Sequence, residues 1–294
     1  MNNIDDQTGR IVIVTGSNSG IGYETARVLA LKNATVILAV RNLGKGSTAA
    51  QKILDQKSDA SVNVMELDLA NLKSVHAFAG QYLKKYKQLD LLINNAGVML
   101  PPYTKTADGF ELQIGTNHFG HFALTGLLFE LISKTPNSRI INISSAMHRY
   151  GNINFNDINW EKRHYKRWNA YGDSKIANLY FTYELAHKLN QANIHTIAVA
   201  AHPGWTATEL QRHSDVMQFF NSAFAQRIEM GVLPTLYAAV CPNVSSGDFF
   251  GPSGFKEMRG YPKKVDSNQL SKDQSIGWQL WDVSEKMTRI FFKI

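Results

Sequence analysis

A tyrosine and a lysine at helical spacing are the residues of this sequence best placed to do chemistry together. Of eleven tyrosines, only Tyr171 has a lysine four residues later, Lys175, and both fall in a segment of helical period. Residues four apart lie on one face of a helix. An ammonium group beside a phenol stabilises the phenolate and lowers a pKa that is ordinarily about 10. The pair is therefore predicted to transfer protons as a general acid and base, although such a pair on its own is more often an ordinary helix surface.

A glycine-rich segment follows the first predicted strand and opens the first predicted helix. After Thr15 its residues are Gly16, Ser17, Asn18, Ser19, Gly20, Ile21 and Gly22. Glycines permit a tight turn, and the free N–H groups at the start of a helix favour a pyrophosphate. The segment predicts a dinucleotide-binding turn, to whose ribose hydroxyls Lys175 could also bond. A strand–helix connection that binds nothing is the alternative.

The end of the second predicted strand indicates which dinucleotide binds. An NAD enzyme typically has an acid here, but the sequence reads Ala39-Val40-Arg41-Asn42. The guanidinium of Arg41 suits a 2′-phosphate, so NADP(H) is the predicted cofactor and NAD(H) remains possible. A solvated surface arginine is the alternative. After the third strand, Asp68, followed by Leu69, is predicted either to accept from the adenine amine or to cap the next helix.

Short apolar runs alternate with helical periods along the first 200 residues. The predicted strands are 11–15, 35–40, 62–67, 90–94, 139–144 and 195–200. The predicted helices are 23–32, 43–57, 71–86, 109–132 and 170–190. This alternation predicts one α/β domain over 1–294, a Rossmann-type doubly wound parallel sheet of about seven strands with helices on both faces.

The last third of the sequence has a different pattern. Residues 205–240 are predicted to be helical and are rich in Met and Phe, 247–268 to be irregular, and a final helix is expected near 273–290. The region 205–294 is expected to cover the carboxyl edge of the sheet, and its Met and Phe side chains to be either core or a lid over an apolar substrate.

The composition excludes several classes of protein. The net charge of +7 includes no run of five or six like charges, so no nucleic-acid partner is predicted. No apolar stretch approaches the ~18 residues of a membrane span. The first ten residues contain two acids and no apolar core of a signal peptide, and Cys241 is the single cysteine, so a cytoplasmic location is expected. His118 and His121 lack an acid or cysteine at ligand spacing, which predicts packing and no metal.

Taken together, residues 9–210 resemble the short-chain dehydrogenase/reductase family. The shared motifs are the glycine turn, Asn94-Asn95-Ala96-Gly97, Ser144-Ser145, Tyr171 and Lys175. The resemblance implies that Asn95, Ala96 and Gly97 line the cofactor. It also implies that Asn117 holds a water for proton relay and that Ser145, the second serine of its pair, polarises a substrate carbonyl.

The segment after the sixth strand also matches the family. It reads His202-Pro203-Gly204-Trp205-Thr206-Ala207-Thr208. The resemblance implies that Pro203, Gly204, Thr206 and Thr208 surround the nicotinamide, with Thr208 at its carboxamide.

The spacing between Ser145 and Tyr171 is about twice the family's usual value, so an insertion is expected at 146–169. Together with Asn117-His118-Phe119-Gly120-His121-Phe122 and Arg41, this insertion resembles the retinol dehydrogenase-like branch. Members of that branch often carry an N-terminal membrane anchor, which is not expected here. A broader lipophilic substrate is therefore predicted in place of a specific retinoid.

The resemblance implies an NADP(H)-dependent oxidoreductase acting on a small-molecule carbonyl or alcohol. Hydride would pass to the carbonyl carbon while Tyr171 gives a proton to the oxygen. A non-catalytic NADP(H) sensor or scaffold, and an enzyme that reduces C=C bonds, are the alternatives. Family members often form a homodimer through the helices 109–132 and 170–190, and a monomer is expected if the insertion blocks that face. Residues 290–294 are expected to pack on the chain itself.

Overall fold

A computed structural model describes residues 4–205 and 226–294 of the chain. Within these residues, eight strands form one sheet in the order β3-β2-β1-β4-β5-β6-β7-β8, and only the pairing of β7 with β8 is antiparallel. The strands are β1 (Ile11–Thr15), β2 (Thr35–Val40), β3 (Val62–Glu66), β4 (Leu91–Asn94), β5 (Arg139–Ile143), β6 (Ile197–Ala201), β7 (Phe249–Pro252) and β8 (Pro262–Lys264).

The helices connect successive strands and cover the sheet. They are α1 (Gly20–Leu31), α2 (Leu43–Leu54), α3 (Leu72–Lys85), α4 (Leu112–Ile114), α5 (Gly120–Lys134), α6 (Arg167–Gln191), α7 (Ile228–Gly231), α8 (Leu233–Val240) and α9 (Gln274–Thr288). A π-helical turn, Gly115–Phe119, joins α4 to α5, so the helix predicted over 109–132 is interrupted at its first turns.

Alternate strand residues build two cores. Val12 and Val14 of β1 face a cluster with α1, α2 and α8, whereas Ile13 faces a second cluster with α3, α5 and α6. Side chains alternate across a strand, and a sheet buried on both faces needs runs that are apolar at every position. The predicted single α/β sheet with helices on both faces is therefore confirmed.

The strand count is one higher than predicted, and the prediction of an irregular stretch over 247–268 was wrong. That stretch contains β7 and β8. Both are short, and β7 ends at Pro252 while β8 begins at Pro262. A proline lacks the N–H that donates a hydrogen bond between strands, so it is found mainly at strand ends and sheet edges. Because each of these short strands contains a proline, their sequences do not show the pattern typical of a strand.

The sheet reverses its strand order between β1 and β4, which are neighbours. In an open α/β sheet, ligands bind in the crevice outside the carboxyl ends of the strands at such a point. The glycine turn follows β1 and the segment Asn95–Gly97 follows β4, so both lie at this crevice.

The carboxyl-terminal part of the chain packs against α5 and α6. The ring of Phe292 lies 4.9 Å from Phe122 and 4.6 Å from Trp281, measured between centroids. Gly126 of α5 contacts this segment so closely that an added Cβ would lie 2.5 Å from Ile290. Separately, over the residues described, no helix is both long and apolar enough to cross a bilayer.

Candidate active site

The glycine turn has a backbone that only small residues allow. Gly16 and Gly20 have φ of +65° and +58°, in the region that glycine adopts without penalty. A Cβ on Gly16 would lie 2.9 Å from Ala96, and one on Gly22 would lie 2.4 Å from Nδ2 of Asn95. The turn after β1 is therefore packed directly on the segment after β4.

The same turn leaves polar groups free to hold an anion. Helix α1 begins without a side-chain cap from Ser19 and without an acid in its first turn, so its first N–H groups and its dipole are available to a negative charge. Among the described residues, the buried hydroxyl of Ser17 has no hydrogen-bond partner. Asn18 is half-buried, and Ile21 is buried. These features fit a pyrophosphate, the group that the sequence predicts here.

Arg41 lies immediately after β2 with an exposed side chain. Across residues 4–205 and 226–294, no side-chain hydrogen bond or ion pair of Arg41 is found. Its neighbour Asn42 caps α2 by accepting from the N–H of Lys45, at 2.9 Å. The guanidinium is thus available to a ligand.

Asp68 and Leu69 have local contacts. One carboxylate oxygen of Asp68 accepts from the N–H of Ala70 at 2.9 Å, while Asn71 caps α3. Asp68 therefore shapes the turn before α3, and its other oxygen keeps acceptor capacity. Leu69 is buried, and its carbonyl packs against Gly120 at the start of α5.

Tyr171 and Ser145 come together where β5 ends and α6 begins. Ser145 caps a short 3-10 turn, accepting from the N–H of Met147 at 3.2 Å, and its hydroxyl lies close enough to the phenol of Tyr171 to lower that phenol's pKa. Ser144 is directed away, because its hydroxyl donates to the carbonyl of Lys175 at 2.8 Å. Of the serine pair, only Ser145 faces Tyr171.

Lys175 lies on the same face of α6 as Tyr171, with Nζ 5.6 Å from the ring centroid. It donates to the carbonyl of Ile143 at 3.2 Å, and Nδ2 of Asn178 shares that carbonyl at 3.0 Å. Lys175 is 5% exposed, so its ammonium is held by the end of β5 and not by bulk water.

The expected lowering of the Tyr171 pKa by Lys175 is not found. Burial raises the pKa of Tyr171 to about 12, and the nearby hydroxyl of Ser145 opposes this only in part. Burial also lowers the pKa of Lys175 to about 8. Desolvation disfavours whichever form is charged, so the pKa of Tyr171 rises and that of Lys175 falls, and the two values move apart while both groups stay protonated at pH 7.

Asn117 lies in the middle of the π-helical turn, a type of turn that is frequent at functional sites. Its side chain accepts from the N–H of Val98 at 2.8 Å and donates to Ser174 Oγ at 2.9 Å. A Cβ on Gly97 would lie 3.1 Å from Oδ1 of Asn117 and 3.6 Å from Nζ of Lys175. The structure thus brings Gly97, Asn117 and Lys175 to one point.

The surroundings of Tyr171 are apolar. Its ring packs with Met99, Leu100, Met147 and Trp205. Trp205 follows Pro203 and Gly204. Gly204 has a φ of +65° and lies so close to the carbonyl of Met258 that a side chain at this position would have no room. Thr206 and Thr208 lie outside the described residues, as does most of the Met- and Phe-rich segment.

Several residues near the site were not singled out from the sequence. Glu257 accepts from Arg149 at 3.0 Å and from Nε2 of His202 at 3.1 Å, joining the insertion to the loop after β6. Burial opposes its ionisation, but these hydrogen bonds hold the pKa of Glu257 below its ordinary value. No local pattern links positions so far apart. Ser174, by contrast, lies three residues after Tyr171, and helical spacing alone could have identified it.

His118, in the π-helical turn, and His121, in α5, are packed inside the protein. His118 Nε2 lies 2.8 Å from Oγ of Ser284, and His121 Nε2 lies 2.8 Å from Oγ1 of Thr15. Burial lowers the pKa of His118 to about 3 and that of His121 to about 4. Both rings are therefore neutral at pH 7.

Comparison with known proteins agrees with the family resemblance that the sequence motifs show. The family described as short chain dehydrogenase matches residues 10–218. Human retinol dehydrogenase 12 is 41% identical over 282 residues, covering 94% of this chain and 85% of its own. Mouse retinol dehydrogenase 14 is 40% identical over 301 residues, covering 96% and 86%.

Solved structures with this fold include one of an uncharacterized protein from Mycobacterium paratuberculosis. It is 40% identical, has a TM-score of 0.85, and covers 100% of this chain and 98% of its own. A chain described as a short chain dehydrogenase from Escherichia coli CFT073, complexed with NADPH, is 26% identical with a TM-score of 0.59, covering 72% and 83%.

Proposed function

This chain belongs to the short-chain dehydrogenase family and is an oxidoreductase of alcohol and carbonyl groups, and from that premise we propose that it reduces the carbonyl of a lipophilic small molecule with NADPH. The observation that carries the proposal is that the buried phenol of Tyr171 lies beside the hydroxyl of Ser145, with Nζ of Lys175 5.6 Å from its ring centroid, near the carboxyl ends of β4 and β5. A proton donor and a second hydroxyl directed at one point are what a developing alkoxide requires.

The cofactor proposal rests on the glycine turn and Arg41. When bound, NADPH supplies the hydride. The N–H groups at the start of α1 would hold its pyrophosphate, and the free guanidinium of Arg41 would hold the 2′-phosphate. The similar chain from E. coli is described as complexed with NADPH. An acid at position 41 would instead indicate NADH.

The protonation state of Tyr171 at pH 7 is the one that carbonyl reduction needs. At pH 7 a phenol with a pKa of about 12 is protonated, so Tyr171 is ready to donate a proton to the carbonyl oxygen while Ser145 donates a second hydrogen bond. Oxidation of an alcohol would need the phenolate, which burial disfavours. Lys175 and the Asn117 region would return a proton to Tyr171 after turnover.

The substrate class is proposed from the residues around the phenol. Met99, Leu100, Met147 and Trp205 offer an apolar wall with no charged group among them. Methionine adapts to ligands of different shapes, which favours a broad range of lipophilic aldehydes and ketones. The curated relatives are named retinol dehydrogenases, so retinal belongs among the substrates to be tested.

Replacement of the phenol tests this proposal. Tyr171→Phe is expected to lower kcat for carbonyl reduction by about 10²–10⁴-fold, the usual contribution of a general acid, with little change in NADPH affinity. The fall in absorbance as NADPH is consumed measures the rate, and fluorescence titration measures binding. Tyr183→Phe is the control. Tyr183 lies on the same helix, and its hydroxyl bonds to Ser267, so this variant should remain active.

Two results would contradict the proposal. Retention of at least a tenth of the activity by Tyr171→Phe would show that another group donates the proton. A wild-type protein that binds NADPH but consumes none with a panel of aldehydes and ketones would support the sensor or scaffold alternative. Saturated products from an enone would instead identify C=C reduction.

A further inference from the structure

His121 lies one turn beyond the middle of the π-helical turn and is 2% exposed. Both of its ring nitrogens are within hydrogen-bond distance of a partner. Nδ1 lies 3.0 Å from the backbone carbonyl of Asn117, and Nε2 lies 2.8 Å from the hydroxyl of Thr15. The ring therefore bridges α5 and the last residue of β1.

The partners determine where the protons are. A carbonyl only accepts, so Nδ1 must carry the proton of the neutral ring, and Nε2 must accept. Thr15 Oγ1 already accepts from the N–H groups of Asn95 and Ala96, both at 2.9 Å. Its single proton is therefore available to Nε2, because the alternative acceptor, the carbonyl of Ile93, is farther away at 3.3 Å.

These bonds form one continuous chain. It runs from the peptide groups of Asn95 and Ala96, through the hydroxyl of Thr15 and the ring of His121, to the carbonyl of Asn117. One end belongs to the segment that packs on the glycine turn, because Nδ2 of Asn95 also donates to the carbonyl of Thr15 at 2.8 Å. The other end is the residue whose side chain lies beside Gly97.

We propose that His121 is a positioning residue that couples the dinucleotide-binding turn to the Asn117 carbonyl. The inference rests on the proposed function, because it assigns His121 to the same reaction. His121 touches neither the phenol of Tyr171 nor the reacting atoms. Its ring fixes the direction of the Asn117 carbonyl and holds the Thr15 hydroxyl in the orientation that receives the two N–H groups.

The neighbouring His118 provides a matched comparison. It is equally buried, at 1% exposed, and is also hydrogen-bonded through Nε2, but to Ser284 of α9 and not to Thr15. Loss of His118 therefore reproduces the packing cost of removing a buried imidazole without touching the chain of bonds. Any effect specific to His121 must come from that chain.

The test compares His121→Phe, His121→Asn, Thr15→Val and the double variant Thr15→Val/His121→Phe with His118→Phe. Steady-state rates give kcat and KM, NADPH fluorescence titration gives cofactor affinity, and thermal melts report folding. His121→Phe is expected to lower kcat and NADPH affinity by about tenfold each, the effect of leaving a buried partner unpaired, while KM for the carbonyl changes little.

The other variants separate positioning from packing. The amide of His121→Asn can replace Nδ1 toward Asn117 but does not reach Thr15, so kcat should recover more than NADPH affinity. If Thr15 and His121 act through one chain of hydrogen bonds, the double variant should lose no more kcat or NADPH affinity than the worse single variant. His118→Phe should lower the melting temperature with kcat and NADPH affinity within about twofold of the wild type.

Two outcomes would overturn the inference. One is that folded His121→Phe and His121→Asn keep kcat and NADPH affinity within twofold. The other is that the losses in Thr15→Val and His121→Phe multiply in the double variant. If the wild type shows no turnover, the proposed function fails, but the NADPH affinities of the same variants still decide whether Thr15 and His121 are coupled.

Discussion

Burial sets the protonation states of Tyr171 and Lys175. Tyr171 and Lys175, with pKa values of about 12 and about 8, both carry protons at pH 7. The sequence predicts the opposite direction for the phenol, because the spacing of two residues shows that they are neighbours but not how much water surrounds them. The residue pair was thus predictable, and its electrostatics required the packed environment.

Arg41 is proposed to select the phosphorylated cofactor, so its replacement should reverse that preference. Arg41→Asp is expected to raise the Kd for NADPH by about 10–100-fold, because a charge-assisted hydrogen bond is lost and a like charge faces the phosphate. Binding of NADH should improve. Fluorescence titration with both cofactors measures the change.

Lys52→Asp is the control for Arg41→Asp. Lys52 is exposed in the last turn of α2, so this variant makes the same change of charge away from the crevice. An Arg41→Asp variant with unchanged affinity for NADPH would show that the arginine is only a solvated surface residue.

Among the secondary-structure elements, those buried on both sides were the most predictable. Strands such as β1 and β2 are runs of apolar residues because both faces of each are covered, and this pattern is visible in the sequence. The π-helical turn is not visible there, because the contacts of Asn117 with Val98 and Ser174 join positions 19 and 57 residues apart. The strands β7 and β8 were also not predictable, because they form by pairing, β7 with β6 and β8 with β7, and not from a local sequence pattern.

The insertion supports the helix that carries Asn117. Tyr165 of the insertion donates to Oε1 of the buried Glu111 at 2.7 Å. Glu111 in turn accepts from the N–H groups of Gln113 and Ile114, at 2.9 Å each, at the start of α4. The insertion therefore reaches the π-helical turn through one buried carboxylate.

Tyr165→Phe is expected to destabilise the fold by about 1–3 kcal/mol, because a buried carboxylate loses a donor. Chemical denaturation measures the loss. Tyr103→Phe is the matched control, because within the described part of the chain the exposed hydroxyl of Tyr103 bonds only to the carbonyl of Asn159, at 3.2 Å. It should change stability by less than about 0.5 kcal/mol. Equal stability of the two variants would show that Glu111 does not need Tyr165.

At the scale of the whole molecule, the carboxyl-terminal residues pack on the outer side of α5 and α6. Ile290 is buried, and Phe292 is packed among Phe122, Phe129, Phe181 and Trp281. The expected packing of residues 290–294 on the chain itself is therefore found for these two side chains. The segment lies on α5 and α6, the helices through which a homodimer is predicted to form. Homodimer and monomer both stay open as predictions, and the cytoplasmic location also stays a prediction.

Two adjacent phenylalanines, Phe291 and Phe292, test how much the packing of the carboxyl-terminal segment contributes to the free energy of unfolding. Phe292→Ala is expected to lower the free energy of unfolding by about 2–4 kcal/mol, in the range of truncating a packed aromatic side chain. Phe291, which is 65% exposed, should tolerate alanine with little change. Urea denaturation of both variants provides the comparison, and equal losses would mean that the segment is not docked.

Strand β8 has a further effect on how the protein behaves at high concentration. It is three residues long, begins with Pro262, and carries the exposed Lys263 and Lys264. An unpaired outer strand is normally a template on which another chain can add and start a fibre, and prolines and lysines there oppose such growth. This border of the sheet is thereby protected against aggregation.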